Sequence, residues 1–199
     1  MELESVIKGR RSVRSYTDEP VPVELVRKVI EAGTWAPSGH NGQQWRFTVF
    51  TGSEKEGLTD FFHSKLQERL KEMGSKSTGS SLNSCRIMQE APVLVMIWNA
   101  GGIEELFMKR KLSNARKLGH MVELQGVSAA IQNMLLMAYS LGLGSLWINN
   151  IYFAIEALEN YLDKPWELVA AVSLGWPSEK EKNKAAPKKM SVDEVSEFL

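Results

Sequence analysis

Apolar residues recurring every three to four positions mark the helices of this chain, and shorter alternating or continuous apolar runs mark its strands. Leu3 to Ile7 begin a short helix that runs into Lys8-Gly9-Arg10-Arg11. After Pro20 and Pro22, Leu25, Val26, Val29 and Ile30 share one helical face, with Gly33 the expected C-cap. Trp45, Phe47 and Val49 alternate with polar or smaller residues, as in a strand. Ser53 and Glu56 have capping-box spacing, and Leu58, Phe61, Phe62, Leu66, Leu70 and Met73 form the apolar stripe of the helix they announce. The Gly/Ser-rich stretch Gly74 to Ser84 is expected to be mobile. Pro92 to Trp98 is continuously apolar, which predicts a strand covered on both faces. A charged amphipathic helix is expected from Glu104 to Lys117 and a neutral one from about Glu123 to Leu141. Leu143 to Ile148 and Leu168 to Leu174 read as strands, and Tyr152 to Tyr161 as a helix. The lysine-rich loop Lys180 to Lys189 precedes a last short helix, announced by the capping box of Ser191 and Glu194.

The neutral helix needs one decision. Leu124 to Ile155 is a run of 32 residues without a charge, long enough to span a bilayer. Gln125, Gln132, Asn133, Ser140, Asn149 and Asn150 interrupt it, and Gly142 and Gly144 divide it. A buried central helix is the better reading. The whole chain of 199 residues suits one domain, 1–199, without internal repeats.

Charge and cysteine content remove several classes of function. Lys plus Arg is 24 and Asp plus Glu is 24, so no net field draws the chain to nucleic acid. Any anionic ligand must be met by a local cluster. Cys85 is alone, so no internal disulfide forms, and His40, His63 and His120 are too scattered for a zinc site. The start MELESVIKGRR has no apolar signal segment, and the expected location is the cytoplasm.

The motifs of serine hydrolases, P-loop proteins and zinc proteases are absent. Gly142-Leu-Gly144 resembles the opening of a dinucleotide fingerprint, but it follows a helix and precedes a strand, the reverse of what that site needs. It reads as a helix C-cap and turn. Two cationic clusters stand out. Lys8, Arg10, Arg11 and Arg14 surround Ser12 without an acid among them, and Lys180, Lys182, Lys184, Lys188 and Lys189 meet only Glu181. Arg can hold an oxyanion with two donors and Lys adds point charge, so together they suit a phosphate. Each alone also fits a solvated surface. The uncharged loop Trp35 to Gln44 offers amides and backbone donors suited to a planar heterocycle, or is an ordinary polar turn.

Five segments then converge. RRSVRSY (Arg10 to Tyr16), APSGHNGQQW (Ala36 to Trp45), LGLGSLWI (Leu141 to Ile148), LGWP (Leu174 to Pro177) and PKK (Pro187 to Lys189), in this order, resemble the nitroreductase family of flavoproteins. The resemblance implies an α+β fold, with helices flanking a mostly antiparallel sheet. It implies an intertwined homodimer with FMN at the subunit interface, NAD(P)H as transient electron donor and a small-molecule acceptor. Nucleic acid and membrane are not expected partners. Met134, Leu135, Met137 and Ala138 become core or interface residues.

Carried over by motif, Arg10, Arg11, Ser12 and Arg14 grip the phosphate and ribityl chain, with Lys188 and Lys189 joining at the phosphate. Pro37, Ser38, Gly39, Asn41 and Gln43 line the ring from the other subunit. Trp147, Ile148, Asn149 and Asn150 pack one ring face and offer backbone donors, and Gly175 follows the last strand close to the cofactor. Asn83 and Arg86, three residues apart, reach toward the pyrimidine edge, in a region where this sequence departs from the commoner pattern. A variable lid is implied at about 54–86, with Phe61, Phe62 and His63 either an aromatic wall for the acceptor or part of the core.

The implied activity is hydride transfer from NAD(P)H through flavin N5 to a nitroaromatic, quinone or similar acceptor in two steps. No side-chain acid or base is required, and His40 is the one histidine in the ring-facing loop. The alternatives are a specialised flavoprotein on the same scaffold, for flavin fragmentation or reductive dehalogenation, and a flavin-storage protein without turnover.

Overall fold

The computed structural model describes residues 2–72, 79–182 and 184–199. Four strands form one antiparallel sheet in the order β1 (Trp45–Thr51), β2 (Val93–Asn99), β4 (Glu167–Gly175), β3 (Gly144–Ile148). Strand β2 is buried at every position, as its unbroken apolar run predicts. Its Leu94, Met96 and Trp98 face one layer of core, while Val93, Val95 and Ile97 face the other.

The first layer is supplied by α3 (Gly52–Glu72), α4 (Gly79–Glu90) and α7 (Ile155–Leu162), through Phe62, Leu66, Met88 and Leu158. The second comes from α2 (Val23–Thr34) and α6 (Ala115–Ser140), through Val29, Val127, Ile131 and Met134. The α+β class expected from the sequence is therefore the observed one. No helix among the described residues is long and apolar enough to cross a membrane. The uncharged stretch instead buries Met134, Leu135 and Ala138 within the chain's own core, with Met137 partly covered beside them.

Several boundaries differ from the sequence reading for identifiable reasons. Gly33 is not a cap; it lies inside α2, where a Cβ would come within 2.9 Å of the Met134 side chain, so its role is to let α2 approach α6. Ser53 lies inside the first turn of α3, which already begins at Gly52. Of the stretch expected to be mobile, 79–84 open helix α4. Positions 74–78 and Met73 of the apolar stripe lie outside the described residues. The helix expected from Glu104 to Lys117 is two elements, α5 (Ile103–Lys109) and the start of α6. Lys111 and Asn114 turn the chain between them with φ of 54° and 57°. At Gly119 a Cβ would sit 2.4 Å from the Glu104 Cα, so the returning helix needs glycine there to pack closely on α5. The cap predicted at the end of α6 is present, with Leu141 at the C-cap and Gly142 at φ 80°. So is the second capping box: Ser191 Oγ accepts from the Glu194 amide and Glu194 accepts from the Ser191 amide, ahead of the short last helix Val192–Val195.

Two buried charges pin element ends. The Glu123 carboxylate accepts from the first amides of α5, Ile103 at 2.8 Å and Glu104 at 3.1 Å, and from Asn99 Nδ2 at 3.0 Å. The Lys55 ammonium donates to the carbonyls of Gln89, in the last turn of α4, and Ala91, just beyond it, and burial lowers its pKa. Cys85 packs in the first core layer, where burial pushes its thiol from an ordinary 9.0 up to about 11.

Two outcomes follow from these buried groups. Glu123→Ala leaves three donors without their acceptor and should destabilise the fold by about 2–3 kcal/mol in urea unfolding; a loss below about 0.5 kcal/mol would show that water replaces the carboxylate. Between pH 9.0 and about 11 the unfolded chain has released the Cys85 proton and the folded chain has retained it. The unfolded state then binds fewer protons, so stability should fall across that interval, and less steeply in Cys85→Ala. An equally steep fall in that variant would assign the effect to other groups.

Candidate functional site

The site is organised by a segment with no regular secondary structure. After α1 (Leu3–Gly9), the chain runs extended along the free edge of β3. Ser12 pairs in parallel with Ser145, and the Val13 amide donates to the Ser145 carbonyl at 3.0 Å. Gly144 makes this possible, because a Cβ there would lie 2.7 Å from Val13 Cγ1. Further on, Tyr16 bridges to Pro177, and the Thr17 amide donates to the Trp176 carbonyl at 2.9 Å. The buried Tyr16 hydroxyl donates to the Val13 carbonyl at 3.1 Å and lies 2.8 Å from Ser173 Oγ; its burial raises its pKa. Gly175 sits where Tyr16 and Pro92 close in on the backbone, at 2.7 and 2.6 Å from an added Cβ.

This path brings the two cationic clusters together. A cavity of about 660 Å³ is lined by Lys8, Arg10, Arg11, Ser12 and Arg14 from the N-terminal segment and by Lys184, Pro187 and Lys189 from the C-terminal one. Gln132 of α6 forms part of the wall, and among the described residues no acid does. Lys8 is ion-paired outward to Glu4, and Lys184 to the buried Glu181. Arg11 is held through Nη1 by the carbonyls of Lys8 and Arg10, at 2.7 and 2.8 Å, and Arg14 through Nη1 by the Ser12 carbonyl at 3.1 Å. Arg10 Nε is buried and has no hydrogen-bond partner among the described residues. A buried guanidinium donor left unpaired in an acid-free cavity is a place for an anion. Of the two lysines expected there, Lys189 lines the cavity and Lys188 does not.

Arg14 also lines a second cavity of about 270 Å³, with Asn83, Trp147, Ile148, Asn149 and Asn150. The two cavities thus meet at one side chain, with cations on one side and amides and backbone on the other. Arg86 is not in this lining. It donates to Asn83 Oδ1 at 2.9 Å and to the Arg14 carbonyl at 3.4 Å, and pairs with Glu90, so it braces the wall. Asn150 Nδ2 ties the opposite wall to Ser84 Oγ at 2.8 Å.

The loop expected to face the ring lies elsewhere on the chain. Pro37, Ser38, Gly39, Asn41 and Gln43 line neither cavity. The loop rests on α6, with Gly39 against Val122 and Ser38 against Gly126. It carries three departures from ordinary backbone within four residues: His40, Asn41 and Gln43 have φ of 52°, 52° and 48°. Each left-handed non-glycine residue costs roughly 1–2 kcal/mol, a cost that surrounding structure must offset. Ser38 Oγ accepts from the Gln43 amide at 3.0 Å and helps to do so. His40 meets Phe107 of α5 edge-on, with ring centres 6.2 Å apart. Beside them the side-chain amide of Gln44 is buried with neither atom paired among the described residues.

The aromatic wall suggested for α3 is part of the body of the fold. Phe62 is fully buried in the first core layer, and Phe61 stacks on Tyr161 at 4.2 Å and 18°. Among the cavity residues that the sequence left unassigned, Gln132 and Lys184 carry polar chemistry into the cationic cavity. In the sequence Gln132 appears only as a polar break in an apolar helix, and Lys184 as one of five lysines without a pattern to favour it.

Known proteins bear on this geometry in a consistent way. The sequence profile described as Nitroreductase family matches residues 7–176. A curated protein of Archaeoglobus fulgidus, provisionally named NADH dehydrogenase/NAD(P)H nitroreductase, is 29% identical over 195 residues, 96% of this chain and 94% of its own. The crystal structure of a BluB-like flavoprotein from Clostridium difficile matches with a TM-score of 0.78 and 30% identity, covering 100% of this chain and 99% of that one. A provisionally named nitroreductase of Desulfovibrio desulfuricans, solved in complex with FMN, matches with a TM-score of 0.72 and 27% identity, covering 100% and 98%.

Proposed function

The chain belongs to the nitroreductase family, and from that premise we propose that it is an FMN-dependent NAD(P)H oxidoreductase. It passes electrons to a nitroaromatic, quinone or similar acceptor in two half-reactions. The observation that carries this reading is the acid-free cationic cavity with its unpaired Arg10 nitrogen, joined through Arg14 to a cavity lined by amides. A phosphorylated planar cofactor has these two ends.

When bound, FMN supplies a ring that accepts hydride and releases electrons to an acceptor. The chain supplies position and charge. Arg10, Arg11, Ser12, Arg14 and Lys189 hold the phosphate and the adjoining ribityl chain, with Lys184 added to the set. Trp147, Ile148, Asn149 and Asn150, with Asn83, face the ring. Arg86 acts through Asn83 and the Arg14 carbonyl, and Gly175 by letting Tyr16 close on the strand end. Fixed donors aimed where negative charge accumulates need no reorganisation during reaction, so no titrating side chain is required.

Homodimer formation belongs to the same proposal. Pro37, Ser38, Gly39, Asn41 and Gln43 line neither of their own chain's two cavities, so in this reading they contribute to the ring site from a second copy. The three left-handed residues and the unpaired Gln44 amide support this, since strain and unpaired polar groups concentrate where a partner or ligand completes the structure. The lone buried thiol of Cys85 fits a reducing cytoplasm. The likeness to a protein described as a flavoprotein keeps a specialised flavin reaction as the second reading.

Anaerobic addition of NADH or NADPH to the FMN-loaded protein should bleach the visible flavin absorbance within minutes, and a nitroaromatic or quinone should restore it. No bleaching with either nucleotide overturns the reductase reading. Bleaching followed by loss of the flavin itself on admitting oxygen selects the specialised reaction. Arg10→Ala and Arg14→Ala should each weaken FMN binding by about 1.5–3 kcal/mol, roughly tenfold to 150-fold, measured by fluorescence titration. Unchanged affinity in both variants removes the phosphate assignment.

A further inference from the structure

The turn between α5 and α6 concentrates positive charge that neither the cationic cavity nor the amide-lined one uses. From Lys109 to Leu118 the chain holds five cations, Lys109, Arg110, Lys111, Arg116 and Lys117, and no acid. Arg116 is ion-paired to Glu104 at 3.4 Å, and the other four have no carboxylate partner among the described residues. The turn has a defined shape. Lys111 and Asn114 take left-handed backbone, the Lys111 amide donates to the Met108 carbonyl at 2.9 Å, and the Leu112 amide donates to the Phe107 carbonyl at 3.2 Å. Met108, Leu112, Leu118 and Met121 lie among the charges and are 46%, 44%, 41% and 46% exposed.

Such a surface suits a ligand that joins a flat apolar group to a compact anion. Unpaired ammonium and guanidinium groups give charge-assisted donors to phosphate oxygens. Half-exposed Leu and Met side chains give adaptable apolar contact to a planar base.

The turn is fixed to the loop of residues 35–44. His40 meets Phe107 of α5 with ring centres 6.2 Å apart, Gly39 lies against Val122 of α6, and Gly119 of α6 lies against the Glu104 backbone of α5. Lys109 follows Phe107 by two residues. In the homodimer proposed above, this loop contributes to the ring site of the other copy, so the turn stands beside the mouth of that site. A dinucleotide that lays its nicotinamide on the ring carries its adenosine half outward, past the loop and toward the turn.

We infer that the α5–α6 turn of one copy binds the 2′-phosphate of NADPH whose nicotinamide lies at the ring site of the other copy, and that NADPH is the preferred electron donor. This rests on the homodimeric flavin reductase proposed above and names the nucleotide it selects. Lys109, Arg110 and Lys111 meet the phosphate, Lys117 adds charge, and Met108 and Leu112 flank the base. The 2′-phosphate is the group that separates NADPH from NADH. Dinucleotide sites for NADH commonly place a carboxylate on the ribose hydroxyls, and sites for NADPH place an arginine on the phosphate. Positions 109–118 hold arginine and lysine and no carboxylate.

Anaerobic rapid mixing of the FMN-loaded protein with each nucleotide reads the dissociation constant separately from the limiting rate of flavin bleaching. The unaltered protein should bind NADPH about tenfold or more tightly than it binds NADH. The test variant carries Lys109→Gln, Arg110→Gln and Lys111→Asn, the last because asparagine tolerates the left-handed backbone at that position. It should lose about tenfold in NADPH binding while keeping the limiting rate, and its binding of NADH should be unchanged. Adenosine 2′,5′-bisphosphate should compete with NADPH for the unaltered protein and compete poorly for the variant. Equal affinity of the unaltered protein for the two nucleotides overturns the inference. Equal weakening of both nucleotides in the variant also overturns it, because a general field acts on both. Either result leaves the flavin reductase reading standing. Bleaching by neither nucleotide overturns that reading itself, and an FMN-loaded protein that sediments as a monomer at every concentration overturns the placement on a second copy.

Discussion

The attachment of residues 12–17 to the strand ends of β3 and β4 is the constraint on which the rest of the site depends. These residues form no regular element, yet their hydrogen bonds to Ser145 and Trp176 fix the chain between the two places where cations must stand. Small residues make the attachment possible. Gly144 admits Val13 and Gly175 admits Tyr16, and a methyl group at either would strike the segment. Once Val13 and Tyr16 are buried, their neighbours Ser12 and Arg14 are turned to the cavities. The placement of charge is thus a by-product of apolar burial, which is the cheaper force to satisfy.

The opposite pole of the fold is built by the reverse logic, with buried charge placing backbone. Glu123 holds the start of α5, and through α5 the position of Phe107 beside His40. A carboxylate at a helix start meets unpaired amides and the positive end of the helix dipole, so its burial is offset by the groups it organises. The loop of residues 35–44 is therefore supported on two sides, by α6 beneath it and α5 against it, which is what lets it retain three left-handed non-glycine residues.

Much of this was legible in the sequence, and the remainder was illegible for physical reasons. Periodicity located α2, α6, β2 and β4, because one-sided or two-sided burial leaves a repeating trace. The Gly142 cap was readable because a local rule governs it. Gly33 was misassigned because a glycine that admits another helix has the same letter as one that ends its own. The break between α5 and α6 was hidden, since Lys111 and Asn114 turn the chain without glycine or proline. The cationic clusters were visible, but their meeting was not: Ser12 and Ser145 are paired across most of the chain, and no local pattern records that. Within the second cluster, only the run of the backbone from Lys184 to Lys189 decides which lysines face inward. The loop of residues 35–44 was singled out by its uncharged, turn-rich composition, whereas its backbone strain leaves no trace in composition.

The acid-free cavity has a thermodynamic consequence beyond recognition. Arg10, Arg11, Arg14, Lys184 and Lys189 converge within one concavity, and of these only Lys184 is ion-paired to a carboxylate among the described residues. Convergent like charge opposes the folded chain, while any anion that enters binds the folded chain and not the unfolded one. Stability is then linked by mass action to the anions in solution. At a ligand concentration one hundred times its dissociation constant, the gain is about 2.7 kcal/mol. The melting temperature of this protein is accordingly a property of the protein together with its buffer, and a shift on exchanging chloride for phosphate reports the occupancy of a cavity, with no chemistry involved.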